Sequence, residues 1–242
     1  MRVPKPLKPL QPYVRTLKQG LRSAKALFGK FPRECTVCGY KGYFFAYGYP
    51  LVADAMCPRC LSLERHRLIV LCDREKQLFK GREILHFAPE PSMRTYIKAQ
   101  EPKRYTTCDL FADEVDLKIN IENIDLPDDE FDFVICSHVL EHVDDRKAIP
   151  ELFRVTKPGG TVLAMFPICE GWEMSFENQD VSSESDRLLY FGQRDHVRYY
   201  GRDARSRLAG AGFRVTEWTA LEPYVSRHGL LRGEKIFLCH KP

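Results

Sequence analysis

No apolar run in these 242 residues approaches the roughly 18 needed to cross a bilayer, and the N-terminus has no signal-peptide core. The expectation is therefore a cytosolic protein. The first 33 residues contain no acidic group. They hold nine basic ones (Arg2, Lys5, Lys8, Arg15, Lys18, Arg22, Lys25, Lys30 and Arg33), so a whole-chain charge of +4 leaves the remainder at −5. The basicity belongs to an arm and not to the body of the molecule. A disulfide framework is also missing. Nine cysteines is an odd number, and four of them fall in two C-x2-C pairs, which points to metal. The 44% hydrophobic content suffices for one full α/β domain with a small appendage.

The spacing divides the chain into a basic arm (1–33), a cysteine module (34–62) and a large domain (63–242). Within the arm, four prolines keep residues 1–12 extended. Val14, Leu17, Leu21, Ala24 and Phe28 then recur at helical spacing among basic residues. Such a helix can lie on an anionic membrane surface, grip phosphate, or pack on its own domain.

Cys35, Cys38, Cys57 and Cys60 form two knuckles with 18 residues between the pairs, the spacing of a four-thiolate zinc ribbon. The aromatic and glycine-rich stretch Tyr40 to Val52 reads as its β-hairpin. Four cysteines leave the ion no open position, so the Zn2+ is expected to be structural. A helix follows from Leu61 to about Phe79, and its Glu64, Arg65, His66 and Arg67 can face a site mouth. The remaining five cysteines lie mostly in apolar stretches and read as small buried hydrophobes.

The core of the large domain is legible around residues 119–167. Phe131 to Ser137 is a strand buried on both faces, a charged amphipathic stretch follows, and Lys157-Pro158-Gly159-Gly160 makes a sharp stop before a second apolar run, Thr161 to Phe166. Strand, helix, strand is a βαβ crossover, so the sheet is parallel here. Further strands are expected at Glu83–Ala88, Arg104–Cys108, Asp116–Ile121, Phe213–Thr219 and Lys235–His240, the last two as an antiparallel hairpin. Residues 110–115 are too few for a crossover helix.

The string LPDDEFDFVICSHVLEHV…ELFRVTKPGG resembles the heart of the class I S-adenosylmethionine (SAM) dependent methyltransferases. It is most similar to the branch that includes quinone and sugar O-methyltransferases. The resemblance runs from about residue 80 onward and implies an α/β fold, a Rossmann-like seven-stranded sheet, here with a small N-terminal zinc ribbon. It further implies a SAM site at the strand ends. By position that site comprises His86, Ala88, Glu90, Asp109, Asn120, Ile121 and Ser137. Asp109 would accept hydrogen bonds from the ribose hydroxyls, and Asn120 would accept one from adenine with Ile121 against the ring. The turn His86 to Ser92 departs from the pattern: relatives have a glycine-rich cradle, and here there is no glycine. CPRCLSLERHR, the APEP turn and Asp195-His196-Val197-Arg198-Tyr199-Tyr200-Gly201 are similar to a zinc-ribbon-bearing subgroup.

His138, Glu141 and His142 share one face if their segment is helical. Some metal-dependent O-methyltransferases carry E-x-x-E-H here, so the resemblance allows a second divalent metal at this triad. His196 lies in a long insertion, residues 168–200, of lid length. It is the leading candidate for a general base, with His142 in support and His138 as a base or wall beside the methyl group. The expected reaction is O-methylation of a hydroxyl on a glycan, glycolipid precursor or other small molecule, with peripheral membrane contact through the arm. The rival readings are an RNA methyltransferase and a zinc-ribbon adaptor that has lost SAM.

Overall fold

The computed structural model describes Tyr13, Thr16, Leu17, residues 29–48 and residues 51–242. Most of the basic arm and its amphipathic helix lie outside the described residues. The cysteine module begins with β1 (Arg33–Glu34), antiparallel to β2 (Lys41–Gly42), and continues with β3 (Phe45–Tyr47), antiparallel to β4 (Val52–Met56). The expected hairpin thus sits later than Tyr40, because Lys41–Gly42 pair back to β1. Each knuckle closes on the residue four places after its first cysteine. Gly39 N–H donates to Cys35 O and Leu61 N–H to Cys57 O, with φ of +74° and +58°. Glycine suits that conformation in one knuckle, and leucine is forced into it in the other.

Helix α1 (Glu64–Lys76) is shorter than expected at both ends; Leu63 is its N-cap and Gln77 ends it in the left-handed region. There follow β5 (Glu83–Phe87), α2 (Pro91–Lys98), β6 (Arg104–Asp109) and β7 (Leu117–Lys118). The third strand keeps two of the six expected residues, and no helix precedes it. Next come β8 (Phe131–Ser137), a single 3-10 turn over Leu140–His142, α3 (Asp145–Val155) and β9 (Thr156–Met165). The insertion holds β10 (Phe176–Glu177), α4 (Glu184–Phe191) and β11 (Arg198–Tyr199). The chain ends with α5 (Ala204–Gly210), β12 (Arg214–Trp218), α6 (Tyr224–His228) and β13 (Ile236–His240).

Seven strands form one sheet in the order β12-β13-β9-β8-β5-β6-β7, parallel except for β13, which is antiparallel to both neighbours. β12 and β13 pair as expected, but α6 intervenes, so they are not a tight hairpin. Alternation along the central strands divides the core. Leu85, Val134, Cys136, Val162, Ala164 and Phe237 pack on the face of α3 and α5. Ile84, Phe133, Ile135, Leu163, Met165 and Leu238 pack on the face of α1 and α2. Both faces are covered, which is why these strands read as unbroken apolar runs.

The Lys-Pro-Gly-Gly segment is not the stop it was expected to be. Phe131 pairs with Thr156 and Phe133 with Thr161, so the extra residues of β9 form a bulge that hydrogen-bonds to Lys241. Gly159 has φ +77°, and a Cβ on Gly160 would lie 2.8 Å from Lys157 O. From β5 the sheet grows outward to β7, and the chain then returns to β8 on the other side of β5. That reversal places a crevice at the carboxyl ends of β5 and β8.

Candidate active site

The turn after β5 keeps a glycine-like shape without glycine. Ala88 has φ +48°, a conformation costing an L-residue roughly 1–2 kcal/mol, and its N–H donates to Cys108 O. Glu90 caps α2, and its carboxylate is engaged by α1, with Oε1 2.8 Å from His66 Nε2 and 3.0 Å from Arg65 Nη2. Burial alone would raise this carboxyl, but the His66 hydrogen bond and the nearby charges of His66 and Arg65 hold it well below the usual range. His86 is buried against the Tyr105 hydroxyl at 2.8 Å, and desolvation lowers its imidazole to about 4, so it is neutral at pH 7.

Asp109 ends β6. Its Oδ1 accepts from the amides of Phe111 and Ala112, both at 2.7 Å, so it serves as a turn aspartate that uses only one of its oxygens there. Asn120 is exposed with Oδ1 on Glu122 N–H, while Ile121 is buried in the core. Ser137 ends β8 with its hydroxyl buried and without a partner. A left-handed alanine, a half-used aspartate and an orphan hydroxyl on adjacent strand ends fit a nucleoside cofactor.

His138, Glu141 and His142 are not on a helix. His138 has φ +55°, which breaks the helix before it starts, and a single 3-10 turn follows; the expected triad does not assemble as a ligand set, since Glu141 and His142 group with His196 and not with His138. His138 Nδ1 lies 3.0 Å from Glu141 Oε1. His196 joins them from the insertion: its ring centroid is 4.7 Å from that of His142 at an interplanar angle of 86°. It is 3% exposed, whereas the His138 and His142 side chains are 26% and 28% exposed, so His196 is the least accessible of the three.

The insertion is locked to this turn by residues the sequence reading did not assign. Val197 N–H donates to Glu141 O, and the Arg198 guanidinium donates to the carbonyls of Leu140 and Val143. Buried Asp145 binds the Tyr200 hydroxyl at 2.8 Å and Arg207 at 3.0 Å. Glu234, just before β13, was also missed. Burial raises its carboxyl to about 7, with His138, Glu64 and Arg65 among the charges acting on it.

In the cysteine module the four Sγ atoms lie within 4.8 Å of one another, with Cys35–Cys60 at 3.6 Å and Cys38–Cys57 at 3.7 Å. Tetrahedral zinc with bonds of about 2.3 Å requires edges of about 3.8 Å, so the donor set fits Zn2+. Arg67 does not face the crevice. It is fully buried at the junction and donates to the carbonyls of Ala55, Ser62, His228, Asp54 and Gly229, with Phe44 stacked at 4.6 Å.

Residues 75–164 match the family model described as a methyltransferase domain. A stretch of 50 residues, 20% of this chain, is 42% identical to the ubiquinone/menaquinone biosynthesis C-methyltransferase UbiE of two Vibrio vulnificus strains, and it spans about a fifth (19%) of those relatives' length. Among solved structures, the cyclase SpnF is similar with a TM-score of 0.52 at 15% identity, over 73% of this chain and 81% of its own. A SAM-dependent methyltransferase from Archaeoglobus fulgidus gives 0.47 at 15%, over 71% and 91%. That a protein named as a cyclase shares the fold means the reaction must be argued from the site.

Proposed function

With a class I methyltransferase domain as the premise, we propose that the chain transfers a methyl group from SAM to a hydroxyl on a polar small molecule or glycan. The observation that carries this reading is the His138–Glu141 pair at the carboxyl end of β8. When bound, SAM supplies an electrophilic methyl group on a sulfonium. The residues that would hold it are Ala88 through its backbone, Asp109, Asn120 and Ser137, whereas Ile121, buried in the core, is not placed to pack on the adenine ring. A hydroxyl is a poor nucleophile until its proton is taken, and an imidazole suits that task near neutrality. The Glu141 charge, 3.0 Å from His138 Nδ1, favours the proton on that nitrogen and leaves Nε2 to receive another. Strain supports a functional role for the position, since a non-glycine residue at φ +55° costs energy and contributes nothing to the core.

Beside His142 lies a cavity of about 470 Å³ lined by Glu122, Arg146, Asn178, Gln179, Arg187 and Arg198 among others. Carboxylates, amides and guanidinium groups suit an acceptor rich in hydroxyls. Within the ribbon Lys41 is paired with Glu34 and Arg59 lies over the Tyr40 ring, and the adjoining Arg33 is paired with Asp54, which counts against a phosphate-gripping role there.

The test is calorimetry with SAM, then labelling of a cell extract with methyl-labelled SAM and identification of the product. Asp109→Ala is expected to lose SAM binding. His138→Ala is expected to lower the rate by roughly 10² to 10⁴ with SAM affinity unchanged. Absence of SAM binding at high micromolar concentration would remove the enzyme reading altogether.

A further inference from the structure

We propose that Glu141, His142 and His196 hold a divalent transition-metal cation between the carboxyl edge of the sheet and the inserted segment. One ligand atom from each of the three lies within 4.8 Å of the others. Glu141 is 1% exposed, and neither of its carboxylate oxygens has a hydrogen-bond partner. His138 Nδ1 comes within 3.0 Å of Oε1 but lies off the hydrogen-bond line. His196 is 3% exposed, and its Nδ1 is likewise buried with no partner. A carboxylate and an imidazole nitrogen so enclosed need a compensating partner, and a cation between them supplies one.

The surroundings are those of a held ligand set. Asp195 Oδ2 lies 3.2 Å from His142 Nδ1, which leaves Nε2 as the nitrogen for an ion; carboxylates orient metal-ligating histidines in this way. The backbone of Glu141 is fixed by Val197 N–H at 2.9 Å, so the two segments carrying the ligands are joined through adjacent residues. Two imidazoles and one carboxylate suit Zn2+, Co2+, Mn2+ or Fe2+ better than Mg2+ or Ca2+. Three protein ligands leave a position open, unlike the four thiolates of the ribbon. His142 borders the polar cavity, so an acceptor hydroxyl entering there could occupy that position and be acidified. The cation itself does not depend on methyl transfer, and the test therefore reads metal and not turnover.

The intact protein, loaded with Co2+ or Zn2+, is analysed for metal per chain by mass spectrometry. The thiolate-to-cobalt absorption reports the ribbon separately. The wild type should take two equivalents, one of them without the thiolate band. Glu141→Gln and His196→Ala should each lose the second equivalent and retain the band. His142→Ala, at a partly exposed position, should do the same. Asp195→Ala should weaken the second equivalent about 10- to 100-fold without abolishing it. A wild type that binds one equivalent, all of it in the ribbon, overturns the proposal. So does retention of both equivalents in Glu141→Gln and His142→Ala.

Discussion

His86, His196, His228 and His240, four of the chain's seven histidines, have imidazoles lowered first of all by burial, while the carboxyl of Glu234 is raised by it. The two kinds of group set opposite limits on stability. His86 titrates at about 4 when folded and near 6.5 when unfolded, so the unfolded chain binds more protons between those values. Its contribution, about 3 kcal/mol, is present above pH 6.5 and lost as the pH falls to 4. His86→Gln should flatten the decline of the urea midpoint over that window; parallel curves for the two proteins would rule this out. For Glu234 the sign is reversed, because its folded value of about 7 exceeds the unfolded 4.5. Its contribution is complete below pH 4.5 and is lost as the pH rises through 7. Glu234→Gln should match the wild type near pH 4.5 and exceed it at pH 8 by up to about 3 kcal/mol in denaturant unfolding. Neither residue's environment could be read from the sequence. Glu234 lies among residues far from it in the chain, and the missing glycine at residue 88 gave no sign that alanine would take the left-handed conformation.

Among the elements, the strands were legible because both faces of the sheet are covered. β8 was read to the residue from its apolar run and the acidic turn before it. The His-Val-Leu-Glu-His segment was misread because its letters have helical spacing, whereas His138 at φ +55° cannot belong to a helix. The clustering of the four cysteines was legible because their partners are local in sequence. The fastening between the 140–143 turn and β11 was not, since Arg198 and Asp145 look like ordinary surface charges until the fold buries them at 5% and 0% exposure. Arg198→Met removes the donors to Leu140 O and Val143 O and leaves Asp145 with less compensation. A loss of about 3–5 kcal/mol is expected, as for a buried charge stripped of its partner. Hydrogen exchange at the Val197 amide should accelerate with it. Unchanged protection there would show that the insertion is held by something else.

Taken whole, the molecule is joined at a junction centred on Arg67, where Arg33, Glu34 and Thr36 also bond to Ser226, Arg227, His228 and Arg74. Arg67 has no carboxylate partner; burial lowers its guanidinium, and the charges of the Cys35, Cys57 and Cys60 thiols and of Glu64 act in the opposite sense. A zinc ion held by the four thiolates would be a net dianion and would serve as the counter-charge of the junction. Stripping zinc is therefore expected to lower the melting temperature of the entire chain in one transition. A calorimetric trace in which the larger domain melts unchanged would contradict this. Arg67→Lys keeps the charge but loses the fork that reaches five carbonyls, and should cost several kcal/mol while the zinc stays bound. There is also a consequence in time. Arg67 donates to His228 O, 161 residues further along the chain. At about 5–20 residues per second, a ribosome completes the ribbon some 8–30 s before it makes the surface on which the ribbon docks. Throughout that interval the nascent ribbon lacks the His228 and Gly229 carbonyls, and a bound metal would carry more of the burden of keeping it folded. Chains stalled before residue 220 should lose their ribbon to protease when zinc is chelated, and finished chains should resist far longer.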